Sequence, residues 1–270
     1  MRATVLVDNV SCPGIEGEWG LSIYIEYGDM TILLDTGGSD LFLENADKLG
    51  LDIGRVDIGV LSHAHYDHSI GMKPFFENNK TASFYMQEGT KENCYKRVKL
   101  RRRYIGLPRD ILTEYSDRIR YVKGDMMLMP GAYIISHKMP DRQKIGKREK
   151  MFVRENGKWK YDSFDHEQSL VFDTDKGLVI FNSCSHAGAA AIITEVGEAF
   201  PDKKVYGIIG GFHLYNKTDE EVRTLAAKIR ETGIEFACTG HCTGDRAYDI
   251  LEKELGSIIC RLHVNKTMEF

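Results

Sequence analysis

Apolar and polar residues alternate over the first sixty positions in short runs, as they do in β-strands that bury one face. Turn residues at Gly28-Asp29 and Gly37-Gly38 end two of these runs. A helix is predicted between the last two runs. The predicted strands are Ala3–Val7, Leu21–Glu26, Met30–Asp35 and Ile58–Leu61, and the predicted helix is Leu41–Leu49.

The last hundred residues contain strand patterns that alternate with helix patterns. The predicted strands are Ser169–Asp173, Leu178–Asn182, Val205–Ile209, Glu235–Cys238 and the closing Ile258–Val264. The predicted helices are Ala187–Phe200, Glu220–Glu231 and Arg246–Leu255. This order predicts two mixed sheets packed face to face with helices outside, in one α/β (α+β) domain over residues 1–270.

Between the two halves, at about residues 87–166, the periodicity weakens and the polarity rises. We interpret this segment as an insertion beside the functional site, with part of it acting as a lid. It contains two charged runs, Lys96–Tyr104 and Asp141–Lys150. The alternative interpretations are a solvated helix face for the first run and a charged linker for the second.

The most informative segment is Leu61–Gly71, which reads LSHAHYDHSIG and begins where a predicted strand ends. Its metal-competent side chains are His63, His65, Asp67 and His68. Imidazole and carboxylate ligands suit Zn²⁺ and related divalent ions. Because residues two apart on a strand share a face, the first two histidines are expected to bind one ion. The aspartate and the last histidine then turn toward a second ion.

The H-x-H-x-D-H pattern resembles that of the metallo-β-lactamase superfamily, dinuclear metallohydrolases with a four-layer αββα sandwich. Asp35–Gly38 resembles the first motif of that superfamily, and Asp35 is expected to hold the metal loop through hydrogen bonds. Three further motifs resemble a subgroup that includes 7,8-dihydropterin-6-methyl-4-(β-D-ribofuranosyl)aminobenzene 5′-phosphate synthases. They are Asn182–Gly188, Gly210–Leu214 and Thr239–Gly244.

Three more histidines follow strands of the second half, where such a fold would aim them at the same edge. They are His186, His213 and His241. The resemblance implies two divalent metal ions, zinc in the first place and manganese or iron as alternatives. The expected ligands are His63, His65 and His186 for one ion, and Asp67, His68 and His241 for the other. Each set leaves room for water, as catalytic sites require.

Cys184 stands where most members of the superfamily carry a bridging aspartate. A metal-bound thiolate and a buried neutral thiol are both open interpretations. Without that carboxylate, two ions, Asp67 and a hydroxide leave a charge of about +2, which favours an anionic substrate. Helix N-termini after His186 and Gly244 would add backbone N–H donors for an anion. The substrate is therefore expected to carry a phosphate or diphosphate group. The expected clamp from the insertion is Arg101, Arg102 and Arg103.

His213 joins Asp67 as a candidate catalytic residue, and proton transfer is the role to test. The preceding Gly210-Gly211 allows a close backbone approach, and histidine titrates near neutral pH. A metal ligand and a neighbouring supporting residue are equally open roles. Structural or surface positions are expected for the remaining histidines, which are His137, His166 and His263. His137 stays an outside candidate for the site because it ends a predicted strand.

Composition narrows the function classes. Hydrophobic and charged fractions of 42% and 28% are typical of a globular protein. A formal charge of −4 does not favour nucleic acid as a partner. No apolar run is long enough to cross a bilayer, and Met1–Val7 lacks the features of a signal peptide. We expect a cytoplasmic protein with free thiols and a small anionic substrate, and leave a homo-oligomer open.

The leading functional interpretation is a dinuclear hydrolase whose metal-bound hydroxide attacks a phosphate-containing small molecule. The alternative, which the subgroup resemblance supports, is a transferase that joins an aryl amine to a pterin diphosphate. A di-iron oxidoreductase is disfavoured because such proteins resemble H-x-E-x-D-H, where this chain has His65. The negative charge disfavours a nuclease, and a metal-binding protein without turnover is the remaining class.

Overall fold

The computed structural model describes all 270 residues. The strands are β1 (Arg2–Val7), β2 (Ser22–Tyr27), β3 (Met30–Leu34), β4 (Ile58–Val60), β5 (Ser83–Gln87), β6 (Cys94–Val98), β7 (Arg101–Tyr104), β8 (Ile119–Val122), β9 (Met126–Met129), β10 (Ala132–Ser136), β11 (Met151–Glu155), β12 (Lys158–Tyr161), β13 (Gln168–Thr174), β14 (Gly177–Cys184), β15 (Val205–Gly211), β16 (Phe236–Thr239), β17 (Ile259–Arg261) and β18 (Thr267–Glu269). The α-helices are α1 (Leu41–Lys48), α2 (Tyr66–Ser69), α3 (Met72–Asn78), α4 (Ile111–Glu114), α5 (Gln143–Glu149), α6 (Ala189–Ala199), α7 (Asp219–Glu231) and α8 (Asp245–Leu255).

Two seven-stranded sheets form the centre of the molecule. The first has the strand order β18-β1-β2-β3-β4-β5-β8, and the second β17-β16-β15-β14-β13-β10-β9. Strand β3 runs parallel to β4, and β14, β15 and β16 run parallel to one another. The carboxyl ends of parallel strands meet at one edge of a sheet, so each sheet brings several strand ends together.

Three apolar clusters define the layers. One lies between the sheets and joins residues such as Ile23 of the first sheet to Phe181 of the second. A second joins the outer face of the first sheet to α1 and α3 through Phe42 and Phe75. The third joins the second sheet to α6, α7 and α8. The predicted αββα order of layers is therefore confirmed, because each sheet buries both of its faces.

The polar middle segment divides into two kinds of structure. Strands β8, β9 and β10 belong to the two large sheets. The remainder contributes helices α4 and α5 and a separate four-stranded sheet in the order β12-β11-β6-β7. The basic run Lys96–Tyr104 forms a hairpin of β6 and β7 rather than a helix face, and the run Asp141–Lys150 is largely α5. The many charged residues of the middle segment weaken the periodicity of these elements, because few of their positions are buried.

The chain ends beside its beginning. The predicted final strand Ile258–Val264 is shorter than expected, at Ile259–Arg261, and a further strand, Thr267–Glu269, pairs with β1. A three-residue strand at the edge of a sheet carries too little periodicity to be recognised from sequence. None of the helices is both long and apolar enough to span a bilayer.

Candidate metal centre

The H-x-H-x-D-H loop lies directly after the short buried strand β4. Its four metal-competent residues occupy the turn into α2 and are all buried, with exposed fractions of 0 to 8%. They are His63, His65, Asp67 and His68. Four polar side chains are stable in such a place only when each has a partner, so the hydrogen bonds around the loop show what the loop can bind.

Asp35, at the end of β3, holds this loop in shape. Its carboxylate accepts hydrogen bonds from the Ser62 backbone N–H at 2.7 Å and the Ser62 hydroxyl at 2.6 Å. It also accepts one from His68 Nδ1 at 2.8 Å. The Ser62 oxygen lies 2.9 Å from His63 Nδ1. One carboxylate therefore orients two imidazoles, and leaves the Nε2 atom of each free for another contact.

The first predicted ligand set, His63, His65 and His186, converges in the structure. The ring centroids lie 4.5 to 5.1 Å apart, and one ligand nitrogen from each ring lies within 4.8 Å of the others. The Nε2 atom of each ring is buried without a hydrogen-bond partner. Burial lowers the pKa of all three histidines, that of His65 to about 3. Three neutral imidazoles with unpartnered nitrogens fit a divalent metal ion.

The second predicted set, Asp67, His68 and His241, also converges. His68 Nε2 lies 3.2 Å from His241 Nε2, and Asp67 Oδ2 lies 3.5 Å from His241 Nε2 and 4.0 Å from His68 Nε2. On its other side the His241 ring contacts Asn9 Oδ1 through Nδ1 at 3.1 Å. Two imidazoles and one carboxylate, each oriented from behind, also fit a divalent ion.

Electrostatics distinguishes this second set from the first. Burial alone would lower the pKa of His241, but the hydrogen bond to Asp67 and the nearby negative charges raise that pKa to about 9. Burial opposes ionisation of Asp67, yet the charges of His68 and His241 hold the pKa of Asp67 well below its usual range. Without metal, a proton between His241 and Asp67 supplies the positive charge that an ion would supply.

Besides Asn9, sequence reasoning missed two other residues near the N-terminus that contact these sets. Trp19 donates its indole N–H to Asp67 Oδ2 at 2.7 Å. Asp8 accepts the backbone N–H of His241 at 2.9 Å and helps to hold that residue at a φ of 47°. Both lie in the first twenty residues, where no local pattern connects them to a metal loop fifty residues away.

Cys184 lies at the end of β14, in contact with the second set. Its Sγ is 3.5 Å from His68 Nε2 and 3.1 Å from the Sγ of Cys242. Burial raises the pKa of the Cys184 thiol well above its usual value, which favours a neutral thiol when no metal is bound. Cys242 was also missed, because one cysteine after a histidine carries no distinctive spacing. A Cβ on Gly211 would collide with the Cys242 sulfur, so a glycine is required there.

His213 lies beside the first set, with its ring centroid 4.2 Å from that of His186. Its Nε2 is 3.5 Å from the carboxylate of Glu149, a buried residue at the end of α5. Glu149 also bonds Lys217 and accepts from Asn216 at 3.1 Å. Burial lowers the pKa of His213, but interactions with Cys242 and Glu149 outweigh that effect and raise the pKa. The charged run that contains Glu149 therefore belongs to the insertion beside the site, and the alternative interpretation of a charged linker does not fit it.

A cavity of about 200 Å³ opens above the metal centre. Its walls include the aromatic side chains of Trp19, Tyr66 and Tyr215. Lys96 and Arg103 face each other across the hairpin and also line it. The Lys96 ammonium donates to the Tyr215 hydroxyl at 2.6 Å. The cavity therefore combines flat apolar walls with two cations.

The three predicted clamp arginines do not share one position. Arg103 lines the cavity, whereas Arg101 is exposed near the tip of the hairpin. The Arg102 guanidinium lies over the rings of Phe152 and Trp159, at 4.7 and 4.5 Å from their centroids. Neighbouring residues of a strand point to opposite faces, so Arg102 cannot face the ligand that Arg103 faces, whereas Arg101 shares the face of Arg103 but lies nearer the tip of the hairpin.

The other histidines already have partners. His137 contacts Glu195 through Nδ1 at 3.0 Å, and Ser169 and Asn182 through Nε2 at 3.2 Å. His166 accepts the Ala64 backbone N–H at 3.2 Å, and its Nε2 faces Asp162 at 3.3 Å. Nδ1 of the third, His263, faces the Val264 carbonyl. Each of these three rings therefore has a protein partner, although His166 also lies in a buried group with His65, Cys94 and Asp162.

Comparison with known proteins gives the family context. The family model of the metallo-β-lactamase superfamily matches residues 20–181. The chain is 29% identical over 265 residues to the 7,8-dihydropterin-6-methyl-4-(β-D-ribofuranosyl)-aminobenzene-5′-phosphate synthase of Methanocaldococcus jannaschii. The alignment covers 93% of this chain and 90% of that protein.

Solved structures agree on the fold. Tm1679, described as a metal-dependent hydrolase of the β-lactamase superfamily, is 29% identical with a TM-score of 0.84, and the match covers 100% of this chain and 99% of that one. Zn²⁺-bound PqqB from Methylobacterium extorquens is 11% identical with a TM-score of 0.59 over the full length of both chains. At that identity, the likeness to PqqB concerns the fold alone.

Proposed function

Since the chain belongs to the metallo-β-lactamase superfamily, we propose that it is a metal-dependent transferase that joins an aryl amine to a pterin diphosphate. The name of the M. jannaschii relative describes the synthesis of a dihydropterin linked through its methyl group to a ribofuranosylaminobenzene phosphate. Similarity to that relative over 93% of the chain supports the same class of reaction. The observation that carries the proposal is the cavity that combines aromatic walls and cations.

The proposal assigns two divalent ions, zinc first and manganese or iron as alternatives, to the two ligand sets. One ion would be held by His63, His65 and His186, and the other by Asp67, His68 and His241. When bound, such ions supply Lewis acidity and neutralise the charge of phosphate oxygens. No carboxylate bridges the two sets at the Cys184 position, so the centre favours a strongly anionic substrate.

The cavity walls match the two ends of a pterin diphosphate. A fused heterocycle is flat and apolar on its faces, and it can stack against Trp19, Tyr66 or Tyr215. Lys96 and Arg103 would bind phosphate oxygens, Arg103 through a planar group with several donors. A hydrolase that acts on a simple phosphate ester has no evident need for three aromatic walls.

In the proposed reaction, the amine nitrogen forms a bond to the methylene carbon of the pterin. The bond between that carbon and the diphosphate oxygen breaks, the electron pair leaves with the oxygen, and the amine loses a proton to solvent. Despite burial, Cys242 and Glu149, the latter 3.5 Å from Nε2 of His213, raise the pKa of His213, which would favour a proton on this ring at the cavity wall. We assign His213 to donate a hydrogen bond or that proton to the departing diphosphate.

A hydrolase is the second candidate, and one observation favours it. Tm1679, which matches this chain with a TM-score of 0.84, is described as a metal-dependent hydrolase. With the same ligand sets, water would take the place of the amine. The two candidates therefore differ in which nucleophile the cavity admits, and not in the metal centre.

The test is to incubate the protein, reconstituted with Zn²⁺, Mn²⁺ or Fe²⁺, with dihydropterin-6-methyl diphosphate. Released diphosphate is measured with and without 4-(β-D-ribofuranosyl)aminobenzene 5′-phosphate, and the coupled product is identified by mass spectrometry. We expect release that depends on the amine. Release that is independent of the amine would favour the hydrolase, and an absence of release with all three metals would refute the transferase.

The matched variants are His213→Ala and His263→Ala. Both remove an imidazole, but His263 lies outside the cavity lining, next to Val264. We expect the first to lower kcat by about 10²-fold or more, as is typical of a lost proton donor, and the second to leave it unchanged. Unchanged kcat and metal content in His213→Ala would exclude the proton-transfer role.

A further inference from the structure

A second cavity, of about 420 Å³, lies next to the metal centre and shares His213 with the first cavity. Its lining is mostly polar and comes from α5, α7, the turn before α6 and the loop between β15 and α7. The two ligand sets and the proposed transfer step leave this cavity without a role. The structure offers three kinds of group in it that together suit one class of ligand.

The first group is the hydroxyl of Ser185. This residue is 2% exposed and lines the cavity, yet its Oγ has no hydrogen-bond partner. Its backbone is satisfied, since its N–H donates to the Gly211 carbonyl at 2.8 Å and its carbonyl accepts from Gly188 at 2.9 Å. A buried hydroxyl without a partner is unfavourable unless a ligand completes it.

The second group is the N-terminus of α6, an 11-residue helix. Gly188 is its N-cap residue and lines the cavity, and no side chain caps the helix. The hydrogen bond from the Ile192 N–H to the Gly188 carbonyl closes the first turn, so the N–H groups before Ile192 have no intrahelical acceptor. A Cβ built on Gly188 would meet no atom within 4 Å, so the side of this residue where a Cβ would stand is open, and an anion near the N-terminus would be favoured by the helix dipole.

The third group is a set of cations around the rim, namely Arg148, Lys217 and Lys228. Two carboxylates also line the cavity. Glu221 forms the capping box of α7, and the exposed Glu220 has no side-chain partner. The buried carboxylate of Glu149 already accepts hydrogen bonds from Lys217 and from the Nε of Arg148. Lys228 and the two terminal guanidinium nitrogens of Arg148 remain free to bind an anion.

We propose that this second cavity binds a phosphate monoester, the phosphate arm of the aryl-amine substrate. Its three kinds of donor suit a compact dianion better than a carboxylate or a neutral sugar. Because His213 belongs to both linings, the ligand's phosphate lies next to the reacting diphosphate. The assignment to the amine rests on the proposed function, whereas binding of phosphate by the cavity does not.

The direct test is calorimetric titration of inorganic phosphate into metal-stripped protein, at an ionic strength matched with chloride. We expect Lys228→Gln to weaken binding by about tenfold and Ser185→Ala by about fivefold. A charged donor contributes somewhat more to the binding of an anion than a neutral hydroxyl does. Lys253→Gln, at an exposed position of α8, is the matched control for charge and should bind phosphate within about twofold of wild type. Arg103→Gln, which alters the first cavity, should lose less binding than Lys228→Gln if the second cavity is the phosphate site.

Absence of phosphate binding to wild-type protein would overturn the inference. So would an equal loss in Lys253→Gln, which indicates diffuse electrostatics, or a loss confined to Arg103→Gln, which indicates the first cavity. Lys228 is exposed, so its variant tests the cavity even if Ser185→Ala folds poorly. Because this titration needs no turnover, its failure and the failure of the transferase assay are distinguishable.

A second measurement connects the cavity to the reaction. In the coupling assay, Lys228→Gln should raise KM for the phosphorylated amine by about tenfold and leave KM for the amine without phosphate unchanged. An equal effect on both amines would exclude the phosphate arm as the ligand of this cavity, even where inorganic phosphate binds.

Discussion

The two candidate ligand sets contain similar groups but differ in how those groups are satisfied in the structure. In the set of His63, His65 and His186, the Nε2 atoms are buried and unpartnered, and burial lowers the pKa of each ring. In the set of Asp67, His68 and His241, the side chains contact one another, and the pKa of His241 rises to about 9.

This difference predicts that a metal ion competes with a proton for the side chains of the second set but not for those of the first. Three neutral imidazoles can accept an ion without losing a proton. Asp67 and His241 hold a proton between them, so an ion must displace it there. We therefore expect the first set to bind metal more tightly and with little dependence on pH, and the second set to release about one proton on binding.

The largest expected effect comes from removing one ligand of the first set. His186→Ala should lower the metal content from about two ions per chain to about one, and activity by well over 10²-fold, because loss of a residue that merely orients a ligand already costs about 10–100-fold. Elemental analysis and the coupling assay measure the two quantities. His263→Ala is the matched control, and an unchanged metal content in His186→Ala would show that the first set is assigned incorrectly.

Asp35→Asn should weaken both sets together. The carboxylate orients His68 directly and His63 through Ser62, and an amide cannot accept all three of its hydrogen bonds. We expect affinity for both ions to fall by about 10–100-fold, measured by competition with a chelator. Asp57→Asn, which alters a carboxylate on the surface near β3, is the control. Loss of one ion alone would mean that Asp35 supports only one set.

The pH dependence of stability tests the second set in metal-stripped protein. A histidine whose pKa is raised from 6.5 to about 9 contributes stability that is fully present below pH 6.5 and lost as the pH rises through about 9. The loss should reach at most about 3 kcal/mol, at about 1.4 kcal/mol per pKa unit. Urea unfolding at several pH values measures it. In Asp67→Asn the decline over this range should be much smaller, and an equal decline would contradict the assignment.

The smallest effect is expected at Cys184. Because burial favours its neutral thiol, Cys184→Ser should keep two ions per chain and change their affinity by less than about tenfold. Cobalt-substituted wild type should then lack the charge-transfer absorption of a thiolate ligand. Cys260→Ser, at a site remote from the metal loop, is the matched control. A thiolate band that disappears only in Cys184→Ser would make Cys184 a ligand, and the second set would need revision.

Sequence reasoning was most effective where function depends on neighbours along the chain. The spacing of His63, His65 and His68 predicted a metal-binding loop after the fourth strand, and these side chains are buried in the turn after β4, because strand geometry and a tight turn are local properties. The strand ends that carry His186 and His241 followed from the alternation of strands and helices. The resemblance to the superfamily supplied the order in which these ligands combine.

The sequence by itself thus determined the layers and predicted the histidine loop and the strand-end histidines that lie next to it. Only the tertiary structure decided which distant residues complete the centre: Trp19 on Asp67, Glu149 beside His213, and Cys242 against Cys184. It also decided that Arg103 alone of the three clamp candidates lines the cavity. Periodicity reports which face of an element is buried, whereas these contacts depend on how separate elements pack, and no local pattern encodes that arrangement.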